Sequence, residues 1–222
     1  MKLLAVDTST DYLSVAVMDG GKALAAIHRK APRSHSSMLM PAIDSVLKKS
    51  GTVLGELDGF CLSIGPGSFT GLRIGAATVK ALAFVTGKPV VAVPTLDVIA
   101  GKSRKFCGII CVVLDARKDK VYAAIYRSDG KRLKRISKTL LVSLNDLVKD
   151  LKKYPGVLFT GDFAERAAAL LPGASAAAGR WQPRPEAVGA GGADYFNKRR
   201  FVKAEDLEPL YVYSRECDIT GK

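Results

Sequence analysis

The chain has 222 residues, 48% of them hydrophobic, enough to fill one large core or two small ones. No apolar run in the sequence reaches the roughly 18 residues of a membrane span, and a charge at Asp7 comes too early for a signal peptide, so the cytoplasm is the expected location. A net charge of +13 suits a polyanionic partner without requiring one.

Leu3 to Val6, Tyr12 to Met18 and Lys22 to Arg29 read as a three-strand antiparallel meander, with Asp19-Gly20-Gly21 supplying the positive-φ residues of a tight turn. Ser34 or Ser36 is placed to cap a helix from about His35 to Lys49. Leu39, Ile43, Val46 and Leu47 recur there at helical spacing, and Gly51 ends it. Gly59 to Ile64 is a fourth strand. A glycine loop, Gly65 to Gly71, then leads into a helix from about Thr70 to Thr86, followed by a strand over Pro89 to Val93 and a helix over Thr95 to Lys102. The order βββαβαβα, with right-handed crossovers, is that of a ribonuclease H-like lobe, which we assign to residues 1–104.

Val112-Val113-Leu114-Asp115 echoes Leu4-Ala5-Val6-Asp7, and Tyr122 to Asp129-Gly130 repeats the spacing of Tyr12 to Asp19-Gly20. The echo predicts a duplicated, smaller α/β lobe over residues 105–222. Its expected parts are a short helix begun by Ser143 or Asn145, a strand at Val157 to Thr160 and an alanine-rich helix through Leu170. A loop from Pro172 to Pro185, a last helix near Glu186 to Arg200 and an extended Leu210 to Tyr213 complete it.

Chemistry has few places to sit. Asp7, Thr8 and Ser9 end the first strand as a phosphate hairpin would, with Asp7 on a Mg²⁺ ion. They serve equally as a turn in which Asp7 and Ser9 satisfy local backbone donors. A two-metal nuclease needs further carboxylates, and the strand ending Ser63-Ile64-Gly65 lacks one. Gly65-Pro66-Gly67-Ser68-Phe69-Thr70-Gly71 has no P-loop lysine and reads as a tight strand-to-helix connection. Cys61, Cys107, Cys111 and Cys217 form no CxxC pair, and His28 and His35 alone cannot complete a zinc site. His35 reads as a cap or surface residue.

The helix behind the glycine loop carries only Arg73 and Lys80 as charges between Gly71 and Val85, which predicts burial on two sides. One side covers its own sheet. Gly71, Gly75, Thr78 and Leu82 form a second stripe for another helix, either the one at 35–49 or one from another protein; Met38, Met40 and Ala42 add adaptable apolar surface. Lys131, Arg132, Lys134, Arg135 and Lys138, and separately Lys198, Arg199 and Arg200, form basic runs without aromatic interleaving.

Several runs resemble the TsaB (YeaZ) family of the Gcp-like glycoprotease superfamily: Leu-Ala-Val-Asp7-Thr-Ser-Thr, Arg33-Ser-His-Ser36, Gly65-Pro-Gly-Ser-Phe-Thr-Gly-Leu-Arg-Ile-Gly75, Pro94-Thr-Leu96 and Leu114-Asp-Ala-Arg117. The resemblance is dense to about residue 127. It implies the two-lobe actin-like ATPase (ASKHA) fold with a reduced second lobe, and an accessory subunit in threonylcarbamoyladenosine (t6A) modification of tRNA. It also implies a TsaD partner that transfers threonylcarbamoyl to adenosine 37 of ANN-decoding tRNAs, with TsaE completing the assembly. Docking would use Met38, Ala42, Gly71, Arg73, Gly75, Thr78 and Leu82, with self-association when TsaD is absent and only indirect tRNA contact. No catalytic residue, metal or cofactor is expected, because Thr95 and Ile99 stand where TsaD carries a metal-binding His-x-x-x-His pair. The alternative is a Mg-ATP-binding ATPase or kinase built on Asp7 to Thr10 and Asp115.

Overall fold

The structure, a computed structural model, describes residues 1–177, 179 and 181–212; Tyr213 and Cys217 lie outside the described residues. In the first unit β1 (Lys2–Asp7), β2 (Tyr12–Asp19) and β3 (Lys22–Lys30) pair antiparallel. Gly20 and Gly21 turn the second hairpin at φ of 53° and 89°. Then come α1 (His35–Ser50), β4 (Gly59–Ser63), α2 (Phe69–Thr86), β5 (Val90–Val93) and α3 (Thr95–Lys102). The sheet order is β3-β2-β1-β4-β5, with β4 parallel to β1 and β5 parallel to β4. Leu4, Val6, Val15 and Val17 face α1 and α2 on one side of the sheet, while Leu3, Ala5, Ala16 and Met18 belong to a separate core on the other. Burial on both faces is why β1 reads as a continuous apolar run. Gly51 closes α1 at φ 62°, bonding the Leu47 and Lys48 carbonyls, but Ser34 at the N-cap turns its hydroxyl to Pro32 O.

The second unit contains β6 (Cys107–Asp115), β7 (Lys120–Asp129), β8 (Leu133–Arg135), β9 (Leu140–Ser143), α4 (Leu144–Leu151), β10 (Leu158–Thr160), α5 (Ala164–Leu170) and β11 (Ser175–Ala176). Its sheet runs β8-β7-β6-β10-β11, with β9 also on β7. That is the order of the first sheet repeated, so the echo of Asp7 at Asp115 is a real duplication of topology. Ser143 caps α4 by accepting from Asp146 N at 3.1 Å. β8, β9 and β11 fall where the sequence suggests surface or loop, because strands of two to four residues are too short to display alternation.

The division of the chain departs from the expected 1–104 and 105–222. Met1–Gly101 and Gln182–Leu210 form one compact unit, and Lys102–Trp181 lies in the other. The returning helix α6 (Pro185–Asn197) packs on the first sheet, with Val188 in the core that contains Met18 and Cys61. Gly189 and Gly192 permit this approach, since a Cβ at either would strike Met18 or Cys61. The helix covers that face of the sheet together with Val98 of α3.

The 18 residues of α2, at mean hydropathy 1.2, meet the length and composition of a membrane span, contrary to the sequence-based expectation that no segment does. One side of α2 packs in the core with Leu62 and Phe60 of β4, as the covering helix of an α/β sheet must.

Candidate functional site

The end of β1 and the glycine loop form one packed unit. Thr8 Oγ1 donates to Gly71 O at 2.8 Å, and Ser68 N donates to Ser9 O at 2.7 Å. The backbones lie so close that a Cβ at Gly67 would collide with the Ser9 carbonyl, at Gly71 with the Thr8 carbonyl and at Gly75 with the Thr8 hydroxyl. Ser68 caps α2 by accepting from Gly71 N at 3.3 Å. On the other side, Gly65 N donates to Thr95 Oγ1 at 3.1 Å and Gly65 O accepts from Thr95 N at 2.8 Å. Gly65 sits at φ 112°, a region that favours glycine, and its bond to Pro66 is cis.

Asp7, Thr8 and Ser9 are consequently buried. Asp7 Oδ1 accepts from Ser9 N at 3.0 Å and from Ser9 Oγ at 2.9 Å. Burial pushes the Asp7 carboxyl up to about 6, opposed by the nearby Ser63 hydroxyl, the Ser9 donors and His35. Ser63 Oγ itself makes no hydrogen bond of normal geometry. A phosphate on this turn would have to displace the roof formed by Gly67 to Gly71, and a cation on Asp7 would have to displace Ser9. The geometry is that of a closed local turn in which Asp7 and Ser9 satisfy one another. His35, expected at a cap or the surface, is buried with Nε2 donating to Thr10 O at 2.8 Å, and it helps close the same turn.

The stripe at Gly71, Gly75, Thr78 and Leu82 faces inward or lies on the flank. Gly71 abuts Thr8 and His35, Gly75 abuts Thr8 and Leu62, and Leu82 packs against the core; the second helix is α1 of this chain. Ala42 is buried in the same core, and Met38 is half-buried. Gly71, Gly75 and Ala42, expected to meet a partner, are thus turned into the core of this chain. The open half of α2 carries Phe69 (52% exposed), Arg73, Ala77, Ala81, Phe84 (83%) and Val85 (80%). Arg73 lies over the Phe69 ring at 3.9 Å, and Met40 of α1 is 49% exposed. Lys80, grouped with Arg73 by its spacing, instead donates to Glu205 O at 2.7 Å. Sequence could have found the open half from the alanines at 77 and 81 and the aromatic at 84, which share one side of the helix.

Elsewhere, Thr95 is spent on the glycine loop and Ile99 is wholly buried. Among the described residues no three His, Cys, Asp or Glu side chains group as metal ligands. Burial pushes the Cys61 thiol up to about 12 and raises Cys111 as well, which leaves both inert. Asp115 is exposed and accepts from Arg117 N at 2.8 Å. Of the second basic run, Lys198 pairs with Asp194 at 2.7 Å and Arg200 lies over Tyr195.

Comparison with known proteins follows the same lines. The family model for TsaD, tRNA N6-adenosine threonylcarbamoyltransferase, matches residues 27–173. The tRNA threonylcarbamoyladenosine biosynthesis protein TsaB of Bacillus subtilis is 34% identical over 162 residues, 72% of this chain and 71% of that one. TsaB of Escherichia coli is 35% identical over 131 residues, covering 58% of this chain and 56% of the E. coli protein. The structure of YeaZ from Pseudomonas aeruginosa superimposes with a TM-score of 0.81 at 25% identity, covering 95% of this chain and 99% of that one. A ROK hexokinase from Thermus thermophilus, at TM-score 0.50 and 12% identity over 90% of this chain and all of its own, shares the two-lobe actin-like fold alone.

Proposed function

The chain belongs to the TsaB (YeaZ) family, and on that premise we propose that it is a non-catalytic subunit of cytoplasmic t6A biosynthesis. It docks a TsaD-type transferase, in an assembly with TsaE, and so supports threonylcarbamoyl transfer to adenosine 37 of ANN-decoding tRNAs. The observation that carries this reading is the open half of α2. Phe84 and Val85 are more than three-quarters exposed on a helix whose other half is locked into the core. Exposed apolar area of this kind marks an interaction surface, and the alanines at 77 and 81 let a second helix approach closely. Self-association through the same half is the state expected when the transferase is absent. The buried, self-satisfied Asp7 turn supports an accessory role over an ATPase. The test is to purify the chain with a TsaD-type transferase and measure the mass of each alone and of the mixture. A 1:1 building block is expected; two components that never co-elute at micromolar concentration would remove the reading.

A further inference from the structure

The basic run of the second unit does not stand alone; folding adds cations from elsewhere in the chain to it. β7 and β8 pair so that Arg127 lies directly opposite Lys134, with Lys131 and Arg132 in the turn between them. Like charges opposite one another on neighbouring strands destabilise a hairpin. The loop before β6 is fastened to the same hairpin, because Ser128 Oγ donates to Arg104 O, and Gly130 lies against Cys107 Sγ and Lys105 O. Arg104, Lys105, Arg127, Lys131, Arg132 and Lys134 are therefore brought to one end of the second sheet, and all six are exposed. None of the six is in an ion pair with another described residue. The one acid of the hairpin, Asp129, is engaged by backbone: its Oδ1 accepts from Lys131 N at 2.8 Å and Arg132 N at 2.6 Å. Those two N–H groups hold its carboxyl below the usual range. The carboxylate orders the turn and leaves the cationic heads to the solvent.

We propose that this hairpin end is a contact surface for the phosphate backbone of tRNA, a proposal that rests on the t6A reading above. Six cations facing one carboxylate fit a polyanion. Near the patch the large apolar side chains are a half-buried Phe106 and, beyond β8, Ile136 at 38% exposure, so it offers little to insert into a lipid layer or to stack on bases. The contact is accordingly to phosphates and independent of sequence. It positions the RNA and does not select it.

The test compares Arg127→Gln/Lys131→Gln/Lys134→Gln with Lys22→Gln/Arg29→Gln/Lys30→Gln, a set of equal charge loss on β3. Unmodified tRNA transcript is titrated from 50 to 200 mM salt against each protein, alone and mixed with the transferase. Each phosphate contact contributes roughly 0.7–0.9 to the slope of log K against log salt. The hairpin variant is expected to lower that slope by about 2, a loss of roughly tenfold or more in affinity at the low-salt end relative to the high-salt end. The β3 variant should lower it by less than half as much. Equal slopes for wild type and hairpin variant, or equal losses in both variants, would overturn the proposal. So would hairpin-dependent binding to phosphatidylserine vesicles with an unchanged tRNA slope. Mass measurement of the same mixtures separates this outcome from a failure of transferase docking, since both variants should still assemble.

Discussion

The two units run their strands in the same order, β3-β2-β1-β4-β5 and β8-β7-β6-β10-β11, yet they treat the end of the central strand oppositely. At β1 the aspartate is buried, bonded to Ser9 and roofed by a glycine loop that touches backbone to backbone. At β6 the matching Asp115 is exposed, and the turn after it holds Arg117, Lys118 and Asp119 at φ of 64°, 50° and 57°. Three consecutive non-glycine residues in the left-handed region store strain that the first hairpin avoids. A topology can thus be duplicated while the aspartate ending its central strand is buried in one copy and exposed in the other. The copy with the buried aspartate delivers the helix with the exposed apolar half.

The largest effect expected is at the roof. Gly75→Leu drives a side chain into Thr8 and Leu62 and should destabilise the first unit by about 3 kcal/mol, read by denaturant unfolding. A loss under 1 kcal/mol would mean that the loop is not tightly closed. Next is pH. The Asp7 carboxyl lies at about 6 in the folded chain against 3.8 ordinarily, so the folded state holds the extra proton between those values. Stability should therefore fall as pH rises from about 4 to about 6, by roughly 2–3 kcal/mol, and then level off. Asp162, also raised by burial, acts in the same direction, and the exposed Asp129 and Asp146, both lowered, act weakly against it. Asp7→Asn should remove most of the slope; an unchanged slope would place its origin elsewhere. The smallest effect is in the second copy, where Lys118→Gly should relieve left-handed strain and raise stability by about 0.5–1 kcal/mol.

Much of this was legible in sequence, and the misses share a cause. Asp7 and the glycine run both stand out in the sequence, but their meeting depends on a contact between Thr8 and Gly71, 63 residues apart. The same glycines looked outward because periodicity gives the faces of a helix without saying which face meets what. The helix near 186–200 was visible, whereas its return to the first sheet was not. Gly189 and Gly192, three apart, were the only signal that it lies against another element. His35 could not be seen as buried, since its partner is a backbone carbonyl at Thr10. The hairpin cations from Lys131 onward form a run in the sequence, but Arg104, Lys105 and Arg127 join it only through tertiary pairing.

The most direct test of the central assignment is to charge the open half of α2 while leaving the glycine half intact. Ala77→Glu/Phe84→Glu alters only exposed positions, so the midpoint of thermal unfolding should shift by no more than a few degrees. Its Kd for a TsaD-type transferase, measured by calorimetry beside the wild type, should rise by about 100-fold, the loss of about 3 kcal/mol expected when charges enter an apolar helix contact. An unfolding midpoint and a Kd both unchanged would contradict the assignment of this half to the partner.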